Sequence, residues 1–516
     1  MRGARWVQCA AQSRAAVCTA PIAVALTLFL AACTVGPNYI PAAAPVPTTF
    51  KELKGAPLKG WKVATPGVGP GLGEWWVLYK DPKLNFLIKQ VEVSNQTVAA
   101  DAAAYEEARA VIREAQSSLF PVLTGSYTYT RTRTGPKAVG LQSGGSRLGG
   151  TGAIYTTTFV PQLNGTWDLD VWGKVRRQVE SNTSAAQASK ADLDYATLSE
   201  QALLATAYFN LRTEDALHDL LERTVTEYKR TLNIVQNQFK AGYSVTAGDV
   251  ATARANVETT QASVFAADAQ RAQFEHAIAM LTGRPPAELT IARHDLSGSI
   301  PKIPVGLPST LLERRPDIAA VERTMQEQNA LIGVAVAGYF PDITLSGTLE
   351  WVGRNPLPFS TANEIWSLGA AGTQTIFNGG LTAAQVDAAR AVYWQSVANY
   401  RQTVLTAFQG VEDELSNIRL MTQQLAIQRQ AVKDARTAVD VYLNQFQAGT
   451  IAFTTVVTAE LTLLADEETE LTIRQDLFLA SVTLIEDLGG GWDTTLLPTL
   501  KELQGSFSLL QKLPAD

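Results

Sequence analysis

Cysteine and histidine, the residue types that most often carry chemistry, are scarce here: three of each in 516 residues. Cys9, Cys18 and Cys33 lie near the N-terminus, so the body has no thiol for a disulfide framework or a cysteine metal site. His218, His276 and His294 are isolated and form no HxxxH or HExxH pattern, so they read as surface or packing residues. No nucleophile–base set, phosphate loop or metal cluster is present in the sequence, and neither catalysis nor a bound cofactor is expected. The thiol with a defined chemistry is Cys33. Arg2, Arg5 and Arg14 precede an apolar run ending Leu28-Phe29-Leu30-Ala31-Ala32-Cys33, which predicts a signal peptide over 1–32. Small Ala31 and Ala32 suit a peptidase cleft, and Leu-Ala-Ala-Cys is a pattern in which the cysteine sulfur is acylated and becomes the first mature residue. An ordinary signal peptide that happens to contain Cys33 is the alternative. Thr34 stands where an Asp would favour inner-membrane retention, so attachment of Cys33 to outer-membrane lipid is expected. Pro37, Pro41, Pro45 and Pro47 then predict an extended tether.

The elements that would follow this anchor are duplicated. Asn237-Gln238-Phe239-Lys240-Ala241-Gly242 returns as Asn444-Gln445-Phe446-Gln447-Ala448-Gly449, 207 positions on. At that offset Leu281 matches Leu488 and Gly283 matches Gly490. Upstream, at an offset of 220, Ala99-Ala100 matches Ala319-Ala320, Glu107 matches Glu327 and Phe120-Pro121 matches Phe340-Pro341. The first half therefore has 13 more residues, expected in the glycine-rich stretch 133–152. Duplication on this scale defines two structural repeats. It predicts a lipidated tether and equatorial segment over 33–81, a first repeat over 82–290, a linker over 291–316, a second repeat over 317–490 and a C-terminal segment over 491–516.

Each repeat reads as long helices. The first has helices over 82–118, 174–240 and 247–282; the second has them over 317–338, 381–447 and 453–487. The stretch 174–240 contains no proline and would be about 100 Å long. Val225, Tyr228, Leu232, Val235 and Phe239 follow steps of three and four, as do Val432, Ala435, Val439, Tyr442 and Phe446. After the glycines, Val250, Val257 and Val264 recur every seventh position, as do Val457, Leu464 and Leu471. These are the stripes of antiparallel coiled-coil hairpins, with Gly242 and Gly449 in tight turns. Most of the stripe residues are packing; function can attach to the exposed turns.

Strands are predicted over 122–133, 154–169, 342–354 and 364–376. Ile343, Leu345, Gly347, Leu349 and Trp351 alternate with Thr344, Ser346, Thr348 and Glu350. Tyr155, Phe159, Leu163 and Trp167 recur in a similar pattern. Apolar-out, polar-in strands of this length fit a transmembrane β-barrel, although a half-buried soluble sheet shows the same alternation. Four strands cannot close a barrel, and an open edge cannot face lipid. Two copies would supply eight strands and three would supply twelve; three copies of four helical columns also make a wide tube. The net charge of −6 argues against a nucleic-acid surface.

Five motifs in order resemble the outer-membrane efflux lipoproteins of the TolC-like channel class (OprM/NodT type): Cys33-Thr34-Val35-Gly36-Pro37-Asn38-Tyr39; Trp75-Trp76 with Asp81-Pro82-Lys83-Leu84; Leu311-Leu312-Glu313-Arg314-Arg315-Pro316-Asp317-Ile318; Ile376-Phe377-Asn378-Gly379-Gly380; and Leu488-Gly489-Gly490-Gly491-Trp492. The resemblance runs over nearly the whole mature chain. It implies a homotrimer with a 12-stranded β-barrel in the outer membrane and an α-helical barrel of duplicated hairpins in the periplasm. It further implies a passive conduit for an inner-membrane resistance-nodulation-division pump, joined by a periplasmic adaptor. The adaptor would dock on the tips Gly242, Tyr243, Ser244, Val245, Gly449, Thr450, Ile451 and Ala452. A conduit for type I protein secretion and a poreless periplasmic scaffold are the other readings; the lipidation pattern and the barrel strands weigh against them. Thr450 and Ile451 stand where many relatives have an acidic ring, with Asp249 after the other turn, so an acidic ring is not expected at that place and an apolar constriction is one alternative. Arg314 and Arg315 are read as structural ion-pair partners, with Pro316 and Asp317 opening a helix.

Overall fold

The computed structural model describes residues 34–54, 72–135, 153–296, 298, 300, 301, 303, 311–499 and 502–503. The expected signal peptide, Cys33 and most of the glycine-rich stretch lie outside these residues. Asp81 opens the first helix, α1 (Pro82–Ser94): its Oδ1 accepts from the backbone N–H groups of Lys83 at 2.8 Å and Leu84 at 3.1 Å, and Pro82 takes the first helical position. Helix α2 (Gln96–Ser117) follows. The expected single helix over 82–118 is thus broken at Asn95, whose backbone is extended and whose Oδ1 caps Thr97 and Val98. An asparagine side chain competes with the helix for backbone donors, and here the cap wins.

Next come strands β1 (Val122–Thr134) and β2 (Ile154–Leu169), then α3 (Lys174–Lys240) and α4 (Ala247–Leu281). The second repeat gives α5 (Pro316–Ala337), β3 (Asp342–Trp351), β4 (Glu364–Thr373), α6 (Leu381–Gln447) and α7 (Phe453–Asp487). Equivalent helices match in length: 67 residues in α3 and α6, 35 in α4 and α7, 22 in α2 and α5. β3 and β4 stop short of the expected ends at 354 and 376. The length difference between the repeats is partly in the strands themselves, because β1 and β2 have 13 and 16 residues against 10 each in β3 and β4.

The short helices of the first repeat stack end to end, with α2 rather than α1 as the upper piece. Helix α4 runs back from the tip, and its end meets the start of α2. There Asn95 Nδ2 donates to the Leu281 carbonyl at 2.9 Å and Ser94 Oγ to the Thr282 carbonyl at 2.7 Å. In the second repeat the start of α5 meets the end of α7 in the same way. Arg315, the counterpart of Asn95, donates from Nη1 to the Asp487 carbonyl at 2.8 Å. Each repeat therefore presents one continuous rod and one two-piece rod.

The sheet is antiparallel in the order β1-β2-β3-β4, and β2 pairs with β3 across the two repeats. One face carries Tyr127, Tyr129, Phe159, Leu163, Trp167, Leu345, Leu349, Trp366 and Leu368; the other carries rows of Thr, Ser, Gln and Asn. A central core joins the hairpins midway along the long helices. It holds Trp75, Trp76, Leu204, Tyr208, Phe209, Val404, Phe408, Leu477 and Phe478, with Phe209 and Phe478 stacked at 4.8 Å. Among the described residues no helix is long and apolar enough to cross a membrane.

Candidate functional sites: helix tips, sheet edges and the N-terminal seat

The repeated signature is a helix stop. Gly242 adopts φ 76°, which lets its N–H donate to the Phe239 carbonyl at 3.2 Å and that of Tyr243 reach Gln238 at 3.1 Å. Gly449, at φ 75°, repeats both bonds, to Phe446 at 2.9 Å and from Thr450 to Gln445 at 3.0 Å. This is the Schellman arrangement, which satisfies carbonyls a helix end leaves free. The two turns then differ. The first spans residues 241–246 and closes with a capping box in which Thr246 N and Oγ1 donate to Asp249 Oδ2. The second spans 448–452, one residue fewer, and Ala452 supplies no side-chain cap. Asp249, the acid noted after the first turn, is therefore engaged in capping.

Gly242, Tyr243, Ser244, Gly449, Thr450 and Ala452 are exposed, whereas Val245 and Ile451 are half-buried. Those two pack on an apolar cluster of Val235, Ala253, Phe446, Phe453 and Val456 that joins the hairpins, with Phe446 and Phe453 rings 5.5 Å apart. Gln238 Nε2 crosses between hairpins to the Phe446 carbonyl at 3.2 Å. The stripes placed Phe239 and Phe446 alike, yet Phe446 is 4% exposed and Phe239 46%. The hairpins share their helix lengths and the glycine stop but not their packing.

Above the tips, three helices enclose a cavity of about 280 Å³ lined by Thr224, Tyr228 and Thr231 of α3, Arg436, Asp440 and Leu443 of α6, and Glu460, Leu463 and Glu467 of α7, among others. Glu460 is buried and accepts from Thr231 Oγ1 at 2.7 Å. Burial pushes its carboxyl up to about 7, against the opposing Thr231 hydrogen bond and with help from the Glu227 charge. Glu460 is not among the residues that the sequence motifs single out. A signal existed: it lies between Val457 and Leu464, on the inward stripe of α7, where a carboxylate is out of place.

At the column junction, Arg315 behaves as read. Its Nη2 donates to Asp317 Oδ2 at 2.9 Å, its Nε to Asp317 Oδ1 at 3.0 Å, and its Nη1 to Asp487 Oδ1 at 2.9 Å. Burial opposes its charge, but the Asp317 and Asp487 carboxylates outweigh this and hold the guanidinium above its usual pKa. Burial raises Asp487 despite the Arg315 charge beside it. Arg314 forms no ion pair among the described residues and contributes its backbone carbonyl to the junction.

The N-terminal motif is a docked strap rather than a free tether. Val35 N–H donates to the Trp172 carbonyl at 3.1 Å, at the β2–α3 join. Arg177 Nε donates to the Val35 carbonyl at 3.1 Å and its Nη2 to Asn38 Oδ1 at 3.0 Å; Tyr39 OH donates to Glu322 Oε1 at 2.6 Å. Gly36, at φ 96°, lies so close to Gly333 that a Cβ would come within 2.4 Å of its Cα. The strap then follows α6, where Arg401 Nε donates to the Ala43 carbonyl and Glu412 accepts from the Lys51 and Glu52 N–H groups. Thr34, the neighbour of Cys33, is thereby held beside Gly173, where the sheet meets the helices.

Among the described residues no group of three or more His, Cys, Asp or Glu could hold a metal ion. The profile of the family described as outer membrane efflux protein matches residues 87–284 and again 307–490. The cation efflux system protein CusC of Escherichia coli O6:H1 is 27% identical, over 92% of this chain and 98% of its own. The solvent efflux pump outer membrane protein SrpC of Pseudomonas putida is 28% identical, over 91% and 97%. Among solved structures, the outer-membrane channel OprN aligns with a TM-score of 0.79 at 27% identity, over 89% of this chain and all of that one. The open-state MtrE channel of Neisseria gonorrhoeae aligns at 0.74 and 25% identity, over 90% and 99%. A duplicated profile that falls on both structural repeats, and relatives matched nearly end to end, mean that this chain belongs to the outer membrane efflux protein family.

Proposed function

We propose that this protein is the outer-membrane conduit of a tripartite efflux system, passive in itself and driven by an inner-membrane pump through a periplasmic adaptor. The observation that carries the reading is the sheet. It is apolar on one face, polar on the other and unpaired at both edges, and it sits on a body of paired hairpins. An open edge in lipid leaves backbone groups unsatisfied at several kcal/mol each, so the edges must join those of further copies. Three copies give a twelve-stranded barrel whose polar faces line a lumen and whose helical columns continue it as a tunnel. Cys33 would carry the lipid, and the docked strap supports this by holding Thr34 at the base of the sheet. The exposed tip residues Gly242, Tyr243, Ser244, Gly449, Thr450 and Ala452 would meet the adaptor, with Val245 and Ile451 holding the turns from within. CusC is named for cations and SrpC for solvents; for this chain the pump sets the substrate.

The test is conductance in a planar bilayer, with the native mass taken from the same detergent-purified sample. A trimer giving discrete and mostly closed small conductances is expected. A monomer without conductance overturns the reading. Docking is tested separately with Gly242→Pro plus Gly449→Pro: trimers should persist while export falls, and normal export would remove the tips from the adaptor contact.

A further inference from the structure

The internal duplication specifies how one copy joins the next. This inference rests on the trimeric reading. Val122 and Asp342 open β1 and β3 at equivalent positions, one residue after the matched Phe-Pro pairs. Their hairpin partners are Thr166 and Thr373, so β2 and β4 correspond residue by residue. The β2–β3 pairing is a join between repeats, and its register is observed: Leu163 faces Leu349, Gly165 faces Gly347 and Thr166 faces Ser346. A ring built from repeats makes the same kind of join between copies, with β4 in the place of β2 and the next copy's β1 in the place of β3.

We infer that β4 pairs antiparallel with β1 of a neighbouring copy in the transferred register: Thr373 opposite Ser126, Gly372 opposite Tyr127, Ala370 opposite Tyr129, Leu368 opposite Arg131 and Trp366 opposite Arg133. Three observations within the single chain agree with it. A Cβ at Gly372 would meet nothing within 4 Å, so this position leaves room for the facing Tyr127 ring, whose hydroxyl donates to the Pro356 carbonyl of its own copy. Trp366 and Leu368 on β4 are 67% and 81% exposed, so side chains of a joining strand can lie beside them on the apolar face. Charges are also placed for it. Arg131 and Arg133 stand at the outer end of β1 on the apolar face, and Glu364 opens β4 on that same face opposite Trp351. Among the described residues neither Arg133 nor Glu364 has an ion-pair partner. In the inferred register Arg133 faces the neighbouring Trp366 and lies diagonal to Glu364, within reach of both. Unpaired charge on a lipid face is costly, and opposite charges on the two edges to be joined remove that cost.

The experiment places cysteine pairs on the polar face of the full-length protein in membranes. Ser126→Cys with Thr373→Cys is directly opposed in this register; Thr124→Cys with Thr373→Cys and Thr128→Cys with Thr373→Cys are displaced along the strand. Diagonal positions are too far apart for a disulfide, so oxidation should link the first combination into covalent dimers and trimers about tenfold more than the others. Single-cysteine variants should not link. Preferential linking of a displaced pair, or no linking by any pair in a particle whose native mass is trimeric, overturns the register while leaving the trimer standing. A monomeric mass overturns the trimer itself. Glu364→Arg should make the trimer dissociate at lower temperature in detergent, with Arg133→Glu restoring it. An unaltered dissociation temperature for Glu364→Arg removes the charge contact from the inference.

Discussion

Two glycines with the same backbone problem have different neighbours. Gly449 at the tip and Gly489 at the column junction adopt φ 75° and 86°. A methyl at Gly449 meets open space, so Gly449→Ala should cost only the left-handed backbone penalty, on the order of 1–2 kcal/mol. At Gly489 the same methyl falls 1.9 Å from the Arg314 carbonyl oxygen, which is backbone and cannot step aside. Circular-dichroism melting should show a few degrees lost for Gly449→Ala and a protein that fails to assemble for Gly489→Ala; equal melting curves would contradict the junction as described. The adjacent guanidinium gives a second residue-scale prediction. Arg315→Ala strands Asp317 and Asp487 at a half-buried helix junction and should cost about 3–5 kcal/mol. Burial already raises the Asp487 carboxyl, and loss of the arginine raises it further. Protonation then relieves the stranded charge, so the deficit against wild type should shrink as the pH falls. A deficit independent of pH would show that packing, not charge, is what the arginine provides.

At the scale of elements, the long rods, the turns and the strand alternation were legible because each rests on a local pattern: proline-free heptads, a glycine stop, a period of two. Lys174–Lys240, Leu381–Gln447 and Phe453–Asp487 fall where the pattern placed them. The break at Asn95 was not legible, since a lone Asn in a helical pattern is common and the bond that fixes it comes from the Leu281 carbonyl, 186 positions away. Nor was the strap, whose partners Arg177, Glu322 and Glu412 lie in other helices. Glu460 lies where the two hairpins meet. Its carboxyl is raised from 4.5 to about 7 in the packed state. The packed state therefore holds the proton more tightly, and low pH favours it. That contribution is full below about pH 4.5 and is lost as pH rises through about 7, a total on the order of 3 kcal/mol. Around it stand Glu227, Tyr228 and Thr231 of α3, Arg436 and Asp440 of α6, and Glu467 of α7, with Arg436 already paired to Glu467. Hydrogen exchange of the tip helices should accelerate between pH 5 and 7 in the wild type. In Glu460→Gln it should lose this step once the intrinsic pH dependence of exchange is removed. A step of unchanged size in Glu460→Gln would assign the titration elsewhere.

At the scale of the molecule, each copy has two unbroken rods, α3 and α6, beside two rods in pieces, α4 with α2 and α7 with α5. Both breaks lie at the level of the strongest packing, where Trp75, Trp76, Phe209 and Phe478 bind the hairpins together. Below that level the contacts between hairpins are smaller: Leu464 against the cluster of Leu221, Val225, Val264 and Ala267, the Glu460 cavity, and the cluster around Phe446 and Phe453. Packing between the hairpins is thus graded along the rods, firm at the equator and weaker at the tip, which is what the proposed conduit would need in order to open at that end. In that proposal, opening would slide one hairpin on the other, separating the tip cluster and leaving the equatorial core intact. Phe446→Ala isolates this motion. It should weaken the tip contact by about 3 kcal/mol or more. The site lies about 50 Å from the column junction by the length of α7, too far to couple to assembly. The expected result is an unchanged trimer mass and melting temperature, with longer open times and several-fold higher mean conductance in planar bilayers. Conductance that stays at the closed level in a trimer of normal mass would mean that the closure is made elsewhere than between these hairpins.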